Sequence, residues 1–122
     1  MVVSDTLDRR LRALSDPTRR DIVARTLHRD HAVSDLAAAY PMSFAAVQRH
    51  VAVLEDAGLV TKRAVHRHRY VRARAEALDE VEADLLALRD VWRGRVERMH
   101  DVLSDASAPE DDRAHEDEED AR

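Results

Sequence analysis

Gln48 and Arg49 are the two neighbouring side chains in this sequence whose chemistry best suits contact with nucleic-acid bases. Gln can form two hydrogen bonds with adenine, and Arg can form two with guanine. Both lie in a helical pattern whose apolar positions are Val47, Val51 and Leu54, and helix geometry turns residues 48 and 49 away from that stripe. A solvated helix face has the same pattern, so the interpretation depends on the neighbouring elements.

The start of the same helix adds three candidate contacts. Ser43 is a good N-cap, and the unpaired amides beside it suit a phosphate. Phe44 and Ala45 could make apolar contact with a thymine methyl group. His50 lies at the edge of the apolar stripe, where packing and a phosphate contact are both open.

A basic hairpin pattern follows this helix. Residues 59–63 and 69–72 read as two short strands, with a tip near residues 65–67 that contains no Gly, Asn or Pro. Basic side chains along such a ribbon predict contacts to phosphates or to the minor groove. They also suit a solvated edge strand that resists aggregation, and both roles can hold together. The residues are Lys62, Arg63, Arg67, Arg69, Arg72 and Arg74.

The elements that position these residues are short helices. We expect helices over residues 7–14, from Asp16-Pro17 to about residue 27, over residues 33–40 and from Ser43 to Gly58, with a polar connection over residues 28–32. Pro41 ends the third helix and leaves only a tight turn before the fourth. Two helices joined in this way and followed by a basic ribbon predict a winged helix-turn-helix. The fold class is mainly α, with five helices and a two-stranded wing.

The fifth predicted helix covers residues 76–104. Its apolar positions recur at spacings of three or four; they are Leu78, Val81, Leu85, Leu88, Trp92, Val96, Met99 and Leu103. A small domain cannot bury so long a seam alone, and the same helix of a second copy is the simplest partner. The sequence therefore predicts a homodimer.

Charge is unevenly distributed along the chain. The net charge is −5, but residues 105–122 alone carry −7, whereas residues 43–74 carry +5. We expect a domain over residues 1–104 and a disordered acidic tail over residues 105–122. The tail could compete with phosphates for the wing arginines, or it could serve only solubility.

Several classes of function do not fit this composition. Cysteine is absent, which excludes disulfides and thiolate sites and favours the cytoplasm. No run of 18 apolar residues predicts a membrane span, and charges near the N-terminus do not match a signal peptide. With only two glycines and no catalytic motif, the chain is predicted to be no enzyme and to need no cofactor.

The segments Leu14-Ser15-Asp16-Pro17-Thr18-Arg19-Arg20 and Arg49-His50-Val51-Ala52-Val53-Leu54-Glu55-Asp56-Ala57-Gly58-Leu59-Val60 resemble the ArsR/SmtB family of dimeric winged-helix repressors. The resemblance extends over roughly residues 7–104. It implies that the fourth helix enters the major groove and that the first and last helices form the dimer interface. The implied interface residues are Leu7, Leu11, Leu85, Leu88, Trp92, Val96 and Met99.

The metal-sensing members of that family carry paired cysteines just before and within the third helix, where this chain has Ala32 and Ser34. The last helix offers His100 without a second histidine. The pairs His28 with His31 and His66 with His68 lack further ligands nearby in the sequence. We therefore expect the metal-independent branch, with no metal site.

Together these features predict a homodimeric transcriptional repressor that binds a near-palindromic operator in double-stranded DNA and blocks a promoter. The alternative is a dimeric protein-interaction module whose acidic tail mimics DNA. The sequence names no inducer.

Overall fold

The structure, a computed structural model, describes the backbone of residues 2–120 and the side chains of residues 5–105. These residues form five helices, α1 (Val2–Ala13), α2 (Pro17–His28), α3 (Val33–Ala38), α4 (Phe44–Asp56) and α5 (Ala75–Asp120). They also form three strands, β1 (His31–Ala32), β2 (Val60–Val65) and β3 (His68–Ala73). The chain divides into two compact units, residues 1–84 and residues 85–122.

The core of the first unit is built where apolar faces of α2, α3 and α4 meet the sheet. The apolar stripe predicted for α4 is confirmed, because Val47, Val51 and Leu54 are all buried. Helix α2 contributes Ile22, and the buried Thr26 hydroxyl donates to the Ile22 carbonyl at 2.7 Å. Among the described residues, no buried side-chain nitrogen or oxygen lacks a hydrogen-bond partner.

Side-chain caps fix where the helices begin, as the sequence predicts. The Asp16 carboxylate accepts from the Arg19 amide at 3.0 Å, and this hydrogen bond lowers the pKa of Asp16. The Ser43 hydroxyl accepts from the Ala46 amide at 3.1 Å. Gly58 follows α4 with φ 72°, the left-handed conformation that ends a helix at little cost for glycine. Helix α3 ends at Ala38, two residues before the predicted Tyr40.

The wing is the antiparallel pair β2–β3, as predicted, and His66 forms its tip with φ 57° in the absence of a glycine. The prediction of a polar connection over residues 28–32 was wrong for its last two residues. His31 and Ala32 form β1, which pairs with Val71 and Tyr70 of β3 and makes a three-stranded sheet of order β1-β3-β2. A two-residue strand is too short to show a period of two, so only its partner strand defines it.

Helix α5 takes part in the first unit only over its opening turns. Ala77 and Val81 are buried, and Leu78 packs against the core. From Leu85 onward the large apolar side chains that the structure describes are exposed. The helix extends to Asp120, beyond the predicted boundary at residue 104. The side chains of residues 106–122 lie outside the described part, so the acidic tail as a separate segment stays a prediction.

No described helix combines the length and apolar character required to cross a membrane.

Candidate nucleic-acid interface

The outer face of α4 presents the residues that the sequence assigns to base contact. Gln48, Arg49 and Ala45 are exposed, and Phe44 keeps 48% of its surface accessible at the start of the helix. The opposite face is locked into the core by Val47, Val51 and Leu54. Rotation of α4 about its axis would expose those buried side chains, so the orientation of its outer face is set by packing.

Two arginines hold the C-terminal end of α4: Arg10, to which the sequence assigns no role, and Arg74, which it assigns to the basic wing. The Arg10 Nε donates to the Ala57 carbonyl at 3.1 Å, and its Nη1 donates to the Glu80 carboxylate at 2.6 Å. The Arg74 Nη1 donates to the Gly58 carbonyl at 2.7 Å. Carbonyls at a helix C-terminus lack partners within the helix, and cations are favoured there.

Arg10 is only 7% exposed, and it links α1, the end of α4 and the start of α5. Its hydrogen bond to Glu80 lowers the pKa of that carboxyl group. One feature of the sequence could have indicated this buried role: Arg10 lies between the apolar residues Leu7 and Leu14 of the predicted first helix.

Arg10→Ala is expected to lower the free energy of unfolding of the full chain by about 1.5–3 kcal/mol, the range for a hydrogen bond to a charged group. The substitution leaves the Ala57 carbonyl without its side-chain donor. Urea denaturation at one fixed protein concentration measures the loss. Arg9→Ala is the matched control, because Arg9 is exposed and has no hydrogen bond or ion pair among the described residues. Equal midpoints for the two variants would contradict this role for Arg10.

His50 turns away from the outer face of α4. Its Nδ1 lies 3.3 Å from the Arg19 Nη1 and 4.0 Å from the Asp16 carboxylate, at the start of α2. Arg19 is itself fixed by its Nε, which donates to the Ala13 carbonyl at 2.6 Å. This environment favours packing of His50 between α4 and α2; its contact with a phosphate stays a prediction.

The register of the wing places its basic side chains on two faces. Lys62 and Arg69 share the face toward α4, since Arg69 pairs with Ala64, two residues after Lys62. Arg63 and Arg72 lie on the other face, where both contact the Asp30 carboxylate, at 2.8 Å and 3.5 Å. Alternation along a strand therefore places on two faces the basic side chains that form one group in the sequence.

Ion pairs within the protein occupy most of these cations. Lys62 lies 3.5 Å from Glu55, and Arg74 lies 3.3 Å from Glu76. Arg67 and Arg69 have no ion pair within the part of the chain that the structure describes, and both side chains are exposed. They are the wing cations most available to an external anion.

The structure brings the helix and the wing together at one cleft. Gln48 of α4 lines it together with Lys62, Arg67 and Arg69 of the wing. A side chain able to hydrogen-bond with base edges and cations able to bind phosphates on one surface match the chemistry of a duplex groove, where bases lie between two charged backbones.

The residues predicted for the dimer interface divide between the two units. In α1, Leu7 is half-buried and Leu11 is exposed. In α5, all five predicted residues have exposed side chains; they are Leu85, Leu88, Trp92, Val96 and Met99. The α5 residues recur at helical spacing along one stretch of helix, so they form an apolar row accessible to a partner.

Comparison with known proteins gives a consistent result. A family model described as a helix-turn-helix domain matches residues 14–63. The chain is 40% identical over 78 residues to the HTH-type transcriptional regulator Rv2034 of Mycobacterium tuberculosis. That match covers 64% of this chain and 73% of the relative.

Two of the solved structures to which this chain is similar illustrate the likeness. An ArsR family transcriptional regulator is 30% identical, with a TM-score of 0.69 over 74% of this chain and 93% of the other. A homodimeric winged helix-turn-helix DNA-binding domain from Mycobacterium bovis is 24% identical, with a TM-score of 0.60 over 73% of this chain and 82% of the other. At 24% identity, the second comparison shows a shared fold and nothing more.

Proposed function

Because the chain belongs to the ArsR family of winged helix-turn-helix transcriptional regulators, we propose that it is a homodimeric, sequence-specific DNA-binding repressor that acts in the cytoplasm. The observation that carries the proposal is the juxtaposition of Gln48 with Arg67 and Arg69 at one cleft. In the proposed complex α4 lies in the major groove, where Gln48 and Arg49 contact base edges.

The wing supplies the phosphate contacts in this arrangement. Arg67 and Arg69 reach the backbone first, because neither pairs with a carboxylate among the side chains that the structure describes. Arg63 and Lys62 contact DNA only if they exchange Asp30 and Glu55 for phosphates. Ser43, at the start of α4, is positioned for a phosphate beside the groove.

Two copies joined through α1 and the exposed apolar row of α5 give the DNA-binding unit its symmetry. A two-fold dimer presents two α4 helices, and such pairs read half-sites about 34 Å apart, one helical turn of DNA. The operator is therefore near-palindromic. A dimer seated across a promoter excludes the polymerase, and repression follows from that occlusion.

Selection of bound fragments from genomic DNA by the purified full chain tests this function. We expect enrichment of one near-palindromic sequence. The logarithm of the affinity for it is expected to fall linearly with the logarithm of the salt concentration, with a slope of about −0.9 for each phosphate contact. A promoter fused to that sequence is expected to lose activity when the protein is present. Failure to enrich any sequence at low salt would contradict sequence-specific binding.

We expect operator affinity to be the same with a chelator as with added zinc. Ala32 and Ser34 cannot supply thiolates. His31 Nδ1 lies 3.1 Å from the Arg29 carbonyl, an interaction within its own connection. Fluorescence anisotropy of labelled operator measures the affinity. A reproducible tenfold drop with zinc that His28→Ala or His31→Ala removes would contradict metal independence.

A further inference from the structure

The cleft between α4 and the wing is also shaped for a small molecule. It encloses about 270 Å³, slightly below the roughly 300–1,000 Å³ of typical ligand sites. Its floor is apolar, with Val51 and Val33 almost fully buried and Phe44 at one side. An occupant of this volume has a compact apolar body, about the size of one aromatic ring.

The rim of the cleft is strongly basic. Lys62, Arg67 and Arg69 line it, and no acidic side chain is among the lining residues. Glu55 lies 3.5 Å from Lys62, whereas Arg67 and Arg69 have no carboxylate partner among the described residues. An arginine guanidinium matches the geometry of a carboxylate or a phosphate group with two parallel hydrogen bonds.

We propose that this cleft binds a small organic anion, one compact apolar body that bears one carboxylate or phosphate group. The apolar body rests on Val33, Val51 and Phe44, and the anionic group pairs with Arg67 or Arg69. Ser34, exposed at the start of α3, borders the same cleft and contributes a hydroxyl.

Such a ligand would release DNA by direct competition, an inference that rests on the proposed function. Phe44, Gln48, Arg67 and Arg69 line the cleft and are also proposed DNA contacts. One surface cannot hold both partners, so no conformational change is required. For exclusive binding, a ligand at 100 times its Kd lowers DNA affinity about 100-fold.

Titration of the free full-length protein with benzoate and with phenyl phosphate, followed by NMR of the backbone amides, tests the site without DNA. We expect saturable shifts at Val33, Ser34 and Val51 with at least one anion. Benzyl alcohol has the ring without the charge. Its affinity is expected to be lower than that of the bound anion by at least about tenfold, because a charged hydrogen bond is lost.

Ser34→Phe should fill the cleft and abolish these shifts, whereas Ala38→Phe places the same side chain at an exposed position of α3 outside the cleft. The double variant Arg67→Gln, Arg69→Gln removes both candidate partners of the anion without filling the cleft, and it is expected to reduce anion affinity about tenfold. The absence of saturable binding by both anions, or equal binding to wild type and Ser34→Phe, would overturn the proposal.

A DNA arm separates this proposal from the proposed function. The anion that binds is expected to displace DNA from wild type and Ala38→Phe but not from Ser34→Phe. Anion binding by a protein that binds no DNA would refute the proposed function and leave the ligand site standing. DNA binding without anion binding would refute the ligand site and leave the proposed function standing.

Discussion

Leu85→Asp is expected to leave the full chain monomeric or unfolded, and Trp92→Ala is expected to weaken its dimer by about 3–5 kcal/mol, the usual cost of truncating a buried aromatic side chain. Trp92 is 64% exposed in the single chain and lies in the middle of the apolar row of α5. Burial of that row against a second copy removes apolar surface from water, which is the main favourable contribution to association. A carboxylate at position 85 would be buried without a partner.

Sedimentation velocity at micromolar concentration measures the oligomeric state, and circular dichroism distinguishes a folded monomer from an unfolded chain. Ala87→Asp and Asp90→Ala are the matched controls, since both positions are exposed and lie across the helix from the row. Both controls are expected to remain dimeric. A wild-type chain that sediments as a monomer under these conditions would rule out the proposed homodimer.

Gln48→Ala and Arg49→Ala are each expected to lose about 1–3 kcal/mol of discrimination between the operator and unrelated DNA, or about 5- to 150-fold in relative affinity. A bidentate contact to a base edge is lost in each case. Affinity for unrelated DNA is expected to change less, because phosphate contacts from the wing remain.

Titration of operator and scrambled duplexes at one salt concentration separates the two effects. Arg9→Ala removes a positive charge from an exposed position on α1 and controls for net charge. Its affinity ratio between the two duplexes should match that of wild type. If both α4 variants footprint the same site with wild-type affinity, the assignment of α4 to the major groove is wrong.

Local chemistry in the sequence determined most of the fold. Asp16 and Ser43 mark helix starts because their side chains accept hydrogen bonds from backbone amides three residues later. Gly58 marks a helix end because it adopts the left-handed conformation. The buried stripe of α4 follows from helical periodicity, and so does the outward direction of Gln48 and Arg49. Interactions over three or four residues are visible in a sequence, and these predictions are confirmed.

Tertiary structure alone decided how the charged residues are used. Asp30 reaches Arg63 across 33 positions, and Arg10 reaches Glu80 across 70, so no local pattern could indicate either pair. Carboxylates pair with four of the six basic residues of the wing, and Arg67 and Arg69 are the two without an ion pair among the described side chains.

Contacts between residues distant in the sequence also explain strand β1 and the division of the α5 seam into a buried part and an exposed part. His31–Ala32 is a strand only because β3 lies beside it. The seam of α5 is continuous in sequence, yet Val81 is buried in the first unit whereas Leu85 is exposed. Where a core ends depends on which elements have already covered it, and that is a property of the packed domain rather than of any one segment.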